Sequence, residues 1–190
     1  MRGVRESGLA VCCKHFPGDG IEELDQHLVM GVNTMECDEW DSTFGHVYKE
    51  MIDSGIQSIM AGHIALPEYS RKLRPGIKDE DIMPATLAPE LITDLLRGKL
   101  GFNGLVLTDA SHMAGMTAAM PRSQQVPGAI AAGCDMFLFF NDIEEDFGYM
   151  MEGYRNGIIT EERLTDALRR ILGLKASLKL HEKMKKGTLI

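Results

Sequence analysis

Residues 14–27 read KHFPGDGIEELDQH and bring together an ammonium, two imidazoles and several carboxylates. Asp25 and His27 stand two apart. A carboxylate beside an imidazole orients the ring and raises its pKa, which suits a general acid/base working near neutral pH. The same spacing also arises as an ordinary surface pair, so it is weak evidence alone. Another carboxylate, Asp109, closes the apolar run GLVLTDA at 104–110. An Asp there is most often a helix cap, but its place at the exit of a buried strand favours a functional role. His15, Asp19, Asp25 and His27 are metal-ligand types, yet no two histidines share an i, i+4 helical face and no further ligand set is evident, so no metal is expected. The GDG at 18–20 lacks both G-x-G-x-x-G spacing and a Gly-Lys-Ser/Thr ending, which rejects a phosphate cradle.

Four apolar runs would carry these groups: GLAVCCKHF (8–16), IQSIMAGH (56–63), GLVLTDA (104–110) and CDMFLFF (134–140). Each is continuous, as in strands buried on both faces of a parallel sheet. Between them, Trp40, Phe44, Val47, Tyr48 and Met51 keep the spacing of one helix face, with Gly55 as the stop. Pro89 opens a second helix with Leu91, Ile92 and Leu95 inward and Gly98 or Gly101 at its end. QQVPGAIAAG holds about two turns, and IEEDFGYMMEGYRNG forms another amphipathic segment. Thr160 caps a last helix whose inward face is Leu164, Leu168, Ile171 and Leu172. Residues 181–190 are expected to be a solvated tail or linker beyond a domain at 1–180.

The alternation predicts an α/β fold with a parallel sheet. Polar residues fall at strand ends: Lys14, His15, His63, Asp109 and Asn141. That distribution favours a (β/α)8 barrel over an open nucleotide-binding sheet, but four units make only half a barrel.

Composition bounds the partners. The chain has 190 residues, 44% hydrophobic and 25% charged, with net charge -8, so it is globular and offers no basic patch for nucleic acid. No apolar run reaches the length of a membrane span, and the first residues lack a signal-peptide h-region, from which a cytoplasmic location is expected. Cys12, Cys13, Cys37 and Cys134 show no paired ligand spacing; Cys12, Cys13 and Cys134 lie in apolar strand-like runs, where reduced core thiols are expected.

KHFPGDGIEELDQH, PATLAPELITDLLRGKLGFNGLVLTDASHMAGM, AGCDMFLFF and ITEERLTDALRRILGLKASL together resemble the C-terminal half of the catalytic barrel of glycoside hydrolase family 3. The likeness covers about residues 8–180 and is closest to the β-N-acetylhexosaminidase branch, whose usual pattern is KHFPGHG, four residues, DSH. The resemblance implies the last four units of a TIM-type barrel and a retaining hydrolase of β-linked N-acetylglucosaminides. It implies Asp109 as the nucleophile that forms a covalent glycosyl-enzyme, His27 as acid/base held by Asp25, and Lys14 and His15 as sugar-binding residues. His63, at a strand end, is grouped with them as substrate-binding, with support of the site from behind or a satisfied core histidine as the alternatives. No cofactor is implied, since two side chains suffice for this chemistry. Here an imidazole stands in for the usual second carboxyl, and it repels an incoming anion less, so transfer to phosphate remains an alternative. A β-glucosidase-like hydrolase and a non-catalytic sugar-binding or assembly module are the others. Asp19 replaces the second His of the usual turn and Gln26 replaces Ser. The first four units are absent from the matched stretch, so self-association or a complementing N-terminal half-barrel is expected to cover the exposed strands.

Overall fold

The computed structural model describes residues 2–23, 25 and 27–185. Four strands, β1 (Cys12–Phe16), β3 (Ser58–Ala61), β5 (Leu105–Ala110) and β6 (Met136–Leu138), form one sheet in the order β1-β3-β5-β6, while β2 (Gly31–Val32) and β4 (Ile64–Ala65) pair separately. Every pairing is parallel. The four expected strands are all present, trimmed to their cores. The β2/β4 pair was not expected, because two residues carry no readable period.

Helical segments follow each strand, as a parallel sheet requires. Cys37–Trp40, a π-type turn at Asp41–Gly45 and His46–Asp53 run end to end. The i→i+5 bonding of that turn shifts the helical phase. Trp40 and Tyr48 are therefore buried, whereas Val47, expected on the same face, is exposed. The segment at Glu90–Lys99 is π-type and buries Leu91, Ile92 and Leu95 as expected. Gly55 and Gly101, both at φ 78°, follow the ends of these two segments, where a left-handed residue turns the chain away. The third helix is longer than expected: it begins at Arg122 after Pro121 and runs to Ala132, with Pro127 inside. Ile143–Arg155 is capped by Asp142, and Glu161–Ser177 by the Thr160 hydroxyl, which accepts from the Arg163 amide at 3.1 Å. The first helix, Arg2–Glu6, carries no readable face. At the other end Leu180–Lys185 is helical and mostly exposed; the rest of the expected tail, 186–190, lies outside the described residues.

Two apolar clusters hold the sheet. Phe16, Trp40, Tyr48 and Tyr69 pack at the head of β1, with Phe16–Tyr48 and Trp40–Tyr69 centroids each 5.1 Å apart and edge-on. Such pairs contribute about 0.5–1.5 kcal/mol each beyond their area. Leu87, Met116, Val126, Ile130, Phe137 and Ile159 form the second cluster beneath β6.

One sheet face is less covered than the continuous apolar runs implied. Val106 and Phe137 are buried on one side, while the in-register row Met60, Leu107, Met136 on the other is half-exposed. The parallel, one-sided sheet matches the expected half-barrel. Cys12 is exposed, Cys13 and Cys37 half-buried and Cys134 buried, all as free thiols, so only Cys134 fills the core role expected of three of them. Burial pushes the Cys134 thiol up to about 12. Leu168 and Leu172 are also exposed, and Leu168 lines an apolar cleft of 760 Å³ with Phe140, Ile143, Phe147 and Ile171.

Candidate active site

The polar side chains converge at the C-terminal ends of β1 and β5. Lys14, His15, Asp19, Asp25, His27, Asp109, Ala110 and Met113 line a cleft of 270 Å³. Strand ends are where a barrel places its chemistry, because loops there can vary over a rigid sheet. The apolar cleft is larger, but its surface is almost wholly apolar and offers little to orient a polar substrate.

Lys14 and His15 belong to β1, and the chain then turns back through Pro17. Cis peptide bonds lie at Lys14–His15 and Phe16–Pro17. The Trp40 indole donates to the Pro17 carbonyl at 2.8 Å, and the buried Asn33 donates to the Gly18 carbonyl at 3.4 Å. These two bonds fix a turn that otherwise has no ladder partners. Trp40 was read from the sequence only as part of a helix face and Asn33 not at all, since each acts on the turn from a distant element. Gly62 allows β3 to approach: a Cβ there would stand 2.9 Å from the His15 Cβ.

Asp109 sits one residue before the end of β5, its side chain 14% exposed. Its Oδ1 accepts from the Ala110 amide at 2.7 Å, and its Oδ2 lies 3.4 Å from His15 Nε2. His15 Nδ1 lies 3.2 Å from Asp19 Oδ2. Asp19 thus joins the site although the sequence marked it only as a metal-ligand type set aside and as a departure from a pattern.

Asp25 and His27 form the expected pair. Asp25 Oδ1 accepts from both the His27 amide at 2.9 Å and His27 Nδ1–H at 2.7 Å. The backbone donor, then the ring donor, hold the Asp25 carboxyl below its ordinary range. With Nδ1 occupied, Nε2 is the nitrogen left to exchange a proton with a ligand. The His27 side chain is 70% exposed, so it is open to the cleft and to solvent. Its carbonyl accepts from the Ala114 amide at 3.2 Å, which ties this loop to the segment after Asp109. Gln26, between the pair, lies outside the described residues.

His63, expected to touch sugar, is fully buried and does not line the cleft. Burial lowers its pKa and keeps the ring neutral. Nε2–H donates to the Ala110 carbonyl at 2.9 Å, while Nδ1 lies 2.9 Å from the Thr86 hydroxyl, which is shared with the Gly62 carbonyl at 2.8 Å. His63 therefore holds the peptide next to Asp109. Lys14 forms no ion pair with the described residues and leaves its donors free for a ligand. Among the described residues no group of three or more His, Cys, Asp or Glu side chains is placed to hold a metal ion.

A cleft with one recessed carboxylate, one accessible imidazole and several hydroxyl-binding groups can split an acetal by covalent catalysis. Several known proteins are similar to this chain. A β-N-acetylglucosaminidase/β-glucosidase of Cellulomonas fimi is 58% identical over 181 residues, 95% of this chain and 32% of that protein. The structure of a β-glucoside phosphorylase, BglX, superposes with TM-score 0.93 at 46% identity, over 95% of this chain and 33% of that one. A family 3 β-N-acetylglucosaminidase from Paenibacillus sp. gives TM-score 0.84 at 28% identity, over 95% and 33%. The chain spans about a third of the length of each. The family model described as the glycosyl hydrolase family 3 N terminal domain matches residues 1–174, and with that match the chain belongs to glycosyl hydrolase family 3.

Proposed function

We propose that the protein acts as a retaining glycoside hydrolase on β-linked N-acetylglucosaminides. The observation that carries this reading is the convergence of Asp109 with the Asp25–His27 pair on one cleft. In the first step an Asp109 oxygen attacks the anomeric carbon, the glycosidic C–O bond breaks, and His27 Nε2–H protonates the departing oxygen. In the second, neutral His27 takes a proton from water as the water oxygen attacks the same carbon and Asp109 leaves as carboxylate. Lys14 and His15 bind sugar hydroxyls, Asp25 keeps the His27 tautomer, and His63 positions the backbone beside the nucleophile.

The test is turnover of an aryl and an alkyl β-N-acetylglucosaminide by the wild type, Asp109→Asn and His27→Ala. Asp109→Asn is expected to abolish both activities. His27→Ala is expected to lose roughly 10²–10⁴-fold on the alkyl substrate. Release of p-nitrophenol should suffer less in the bond-breaking step, since that group departs without a proton. Equal turnover by all three proteins would overturn the assignment. Binding that survives Asp109→Asn, with no wild-type turnover, would favour a sugar-binding module.

A second reading has its own support: a neighbour at 46% identity is named a β-glucoside phosphorylase, and the proton-transfer group here is an imidazole. Phosphate attacking the glycosyl-Asp109 ester would release a sugar 1-phosphate and free the carboxylate, and a neutral ring does not repel that anion. Phosphate-dependent turnover with sugar 1-phosphate as product separates this from hydrolysis. Coverage of the open sheet face by a second copy or a complementing half-barrel belongs to the same proposal, as does a cytoplasmic location; no described helix is long and apolar enough to cross a membrane.

A further inference from the structure

His15 stands between two carboxylates. Its Nδ1 is 3.2 Å from Asp19 Oδ2 and its Nε2 is 3.4 Å from Asp109 Oδ2. A neutral imidazole has one N–H and one lone pair, so it can satisfy only one of two ionised partners. The other contact would set a lone pair against a carboxylate. Both become favourable only when the ring carries two protons.

We propose that Asp19 is a positioning residue that holds His15 as an imidazolium, with Nδ1–H directed to Asp19 and Nε2–H to Asp109. The cation beside Asp109 then favours its ionised, nucleophilic form before substrate arrives. When a glycoside occupies the cleft, the same Nε2–H is available to a sugar hydroxyl. This part rests on the glycosidase reading; the charge of the ring does not.

The groups facing His15 come from each element around it. Asp19 is on the following turn, Asp109 on β5, and Lys14 adjacent on β1, while Asp25 and His27 line the same cleft. His63, after β3, acts on His15 through space but is itself kept neutral by burial. The Asp19 side chain is 45% exposed and makes no described bond except to His15, so Asp19→Asn removes the charge without opening the core.

The deciding measurement is the ¹⁵N signal of His15 at neutral pH in the intact protein, assigned with His15→Gln. The wild type is expected to show both ring nitrogens protonated, and Asp19→Asn to show a neutral ring with one protonated nitrogen. A neutral single-tautomer His15 in the wild type, or a doubly protonated ring in Asp19→Asn, would overturn the proposal. In turnover at neutral pH, Asp19→Asn is expected to lower kcat/KM, while Asp19→Glu restores it. The signal is read without substrate, so a protein lacking turnover would refute the glycosidase reading and leave the charge of His15 to be judged separately.

Discussion

Two imidazoles in the cleft are held by carboxylates in different ways. At His27 one carboxylate oxygen collects both the ring and the backbone donor, and Nε2 stays free. At His15 each nitrogen faces a carboxylate oxygen, Nδ1 at 3.2 Å and Nε2 at 3.4 Å. The first arrangement suits proton exchange and the second suits a fixed charge. Because two donors depress the Asp25 pKa, the pair is intact above the ordinary carboxyl range and is lost only as pH falls through the lowered value. Asp25 should thus contribute no acid limb to kcat/KM above about pH 4. Asp25→Ala, which frees the His27 tautomer, should reduce kcat for alkyl glycosides roughly 10-fold or more, with KM little changed; an unchanged kcat would remove Asp25 from the mechanism. At this scale the sequence was informative where partners are close: Asp25-x-His27 could be read from spacing. Asp19 facing His15 could not, because that contact needs the turn held by Trp40 and Asn33. The Thr86 partner of His63 lies on another segment and had no local signal.

Among elements, the strands and the main helices follow from buried runs and 3.6-residue periodicity. The π-type turn at Asp41–Gly45 does not, since a single shift of phase reads as one misplaced apolar residue, here Val47. Side-chain pairs lock the ends of elements that periodicity leaves open. Arg122 Nε donates to Asp146 Oδ1 at 2.8 Å, and its Nη groups reach the Ser111 and Phe139 carbonyls at 3.3 Å. This links the segment after Asp109 to the end of β6. Burial alone would raise the Asp146 pKa, but the Arg122 and Asn141 donors outweigh it and lower it. The pair therefore stabilises the fold above the unfolded carboxyl pKa, and that contribution fades as pH falls through the lowered one. Asp146→Ala, which leaves Arg122 without its carboxylate, should cost about 3–5 kcal/mol in urea unfolding at neutral pH. Its penalty should shrink in acid; a loss below 1 kcal/mol would show the pair to be dispensable.

For the whole molecule, the sequence pattern identified apolar faces but not what would cover them. Leu168 and Leu172 share the period of a buried stripe, yet they are exposed, together with Phe140, Ile143 and Phe147. The half-covered row Met60, Leu107 and Met136 has the same origin: a strand pattern suited to a closed barrel on a sheet that is open here. Exposed apolar area of this kind favours association. Phe147→Glu with Leu168→Glu should shift size-exclusion elution toward the monomer and lower dye binding, with the 270 Å³ cleft unaltered in ligand binding; unchanged elution would mean this surface does not mediate association. Across the open sheet, the loops of His27 and Asp109 are joined by the Ala114 amide and the His27 carbonyl. Because that tie uses only main-chain atoms, proline at 114 is the replacement that deletes its donor outright. Substituting other side chains on either loop leaves this donor and acceptor in place, so the tie between the His27 loop and the segment after Asp109 does not depend on which side chains those loops carry.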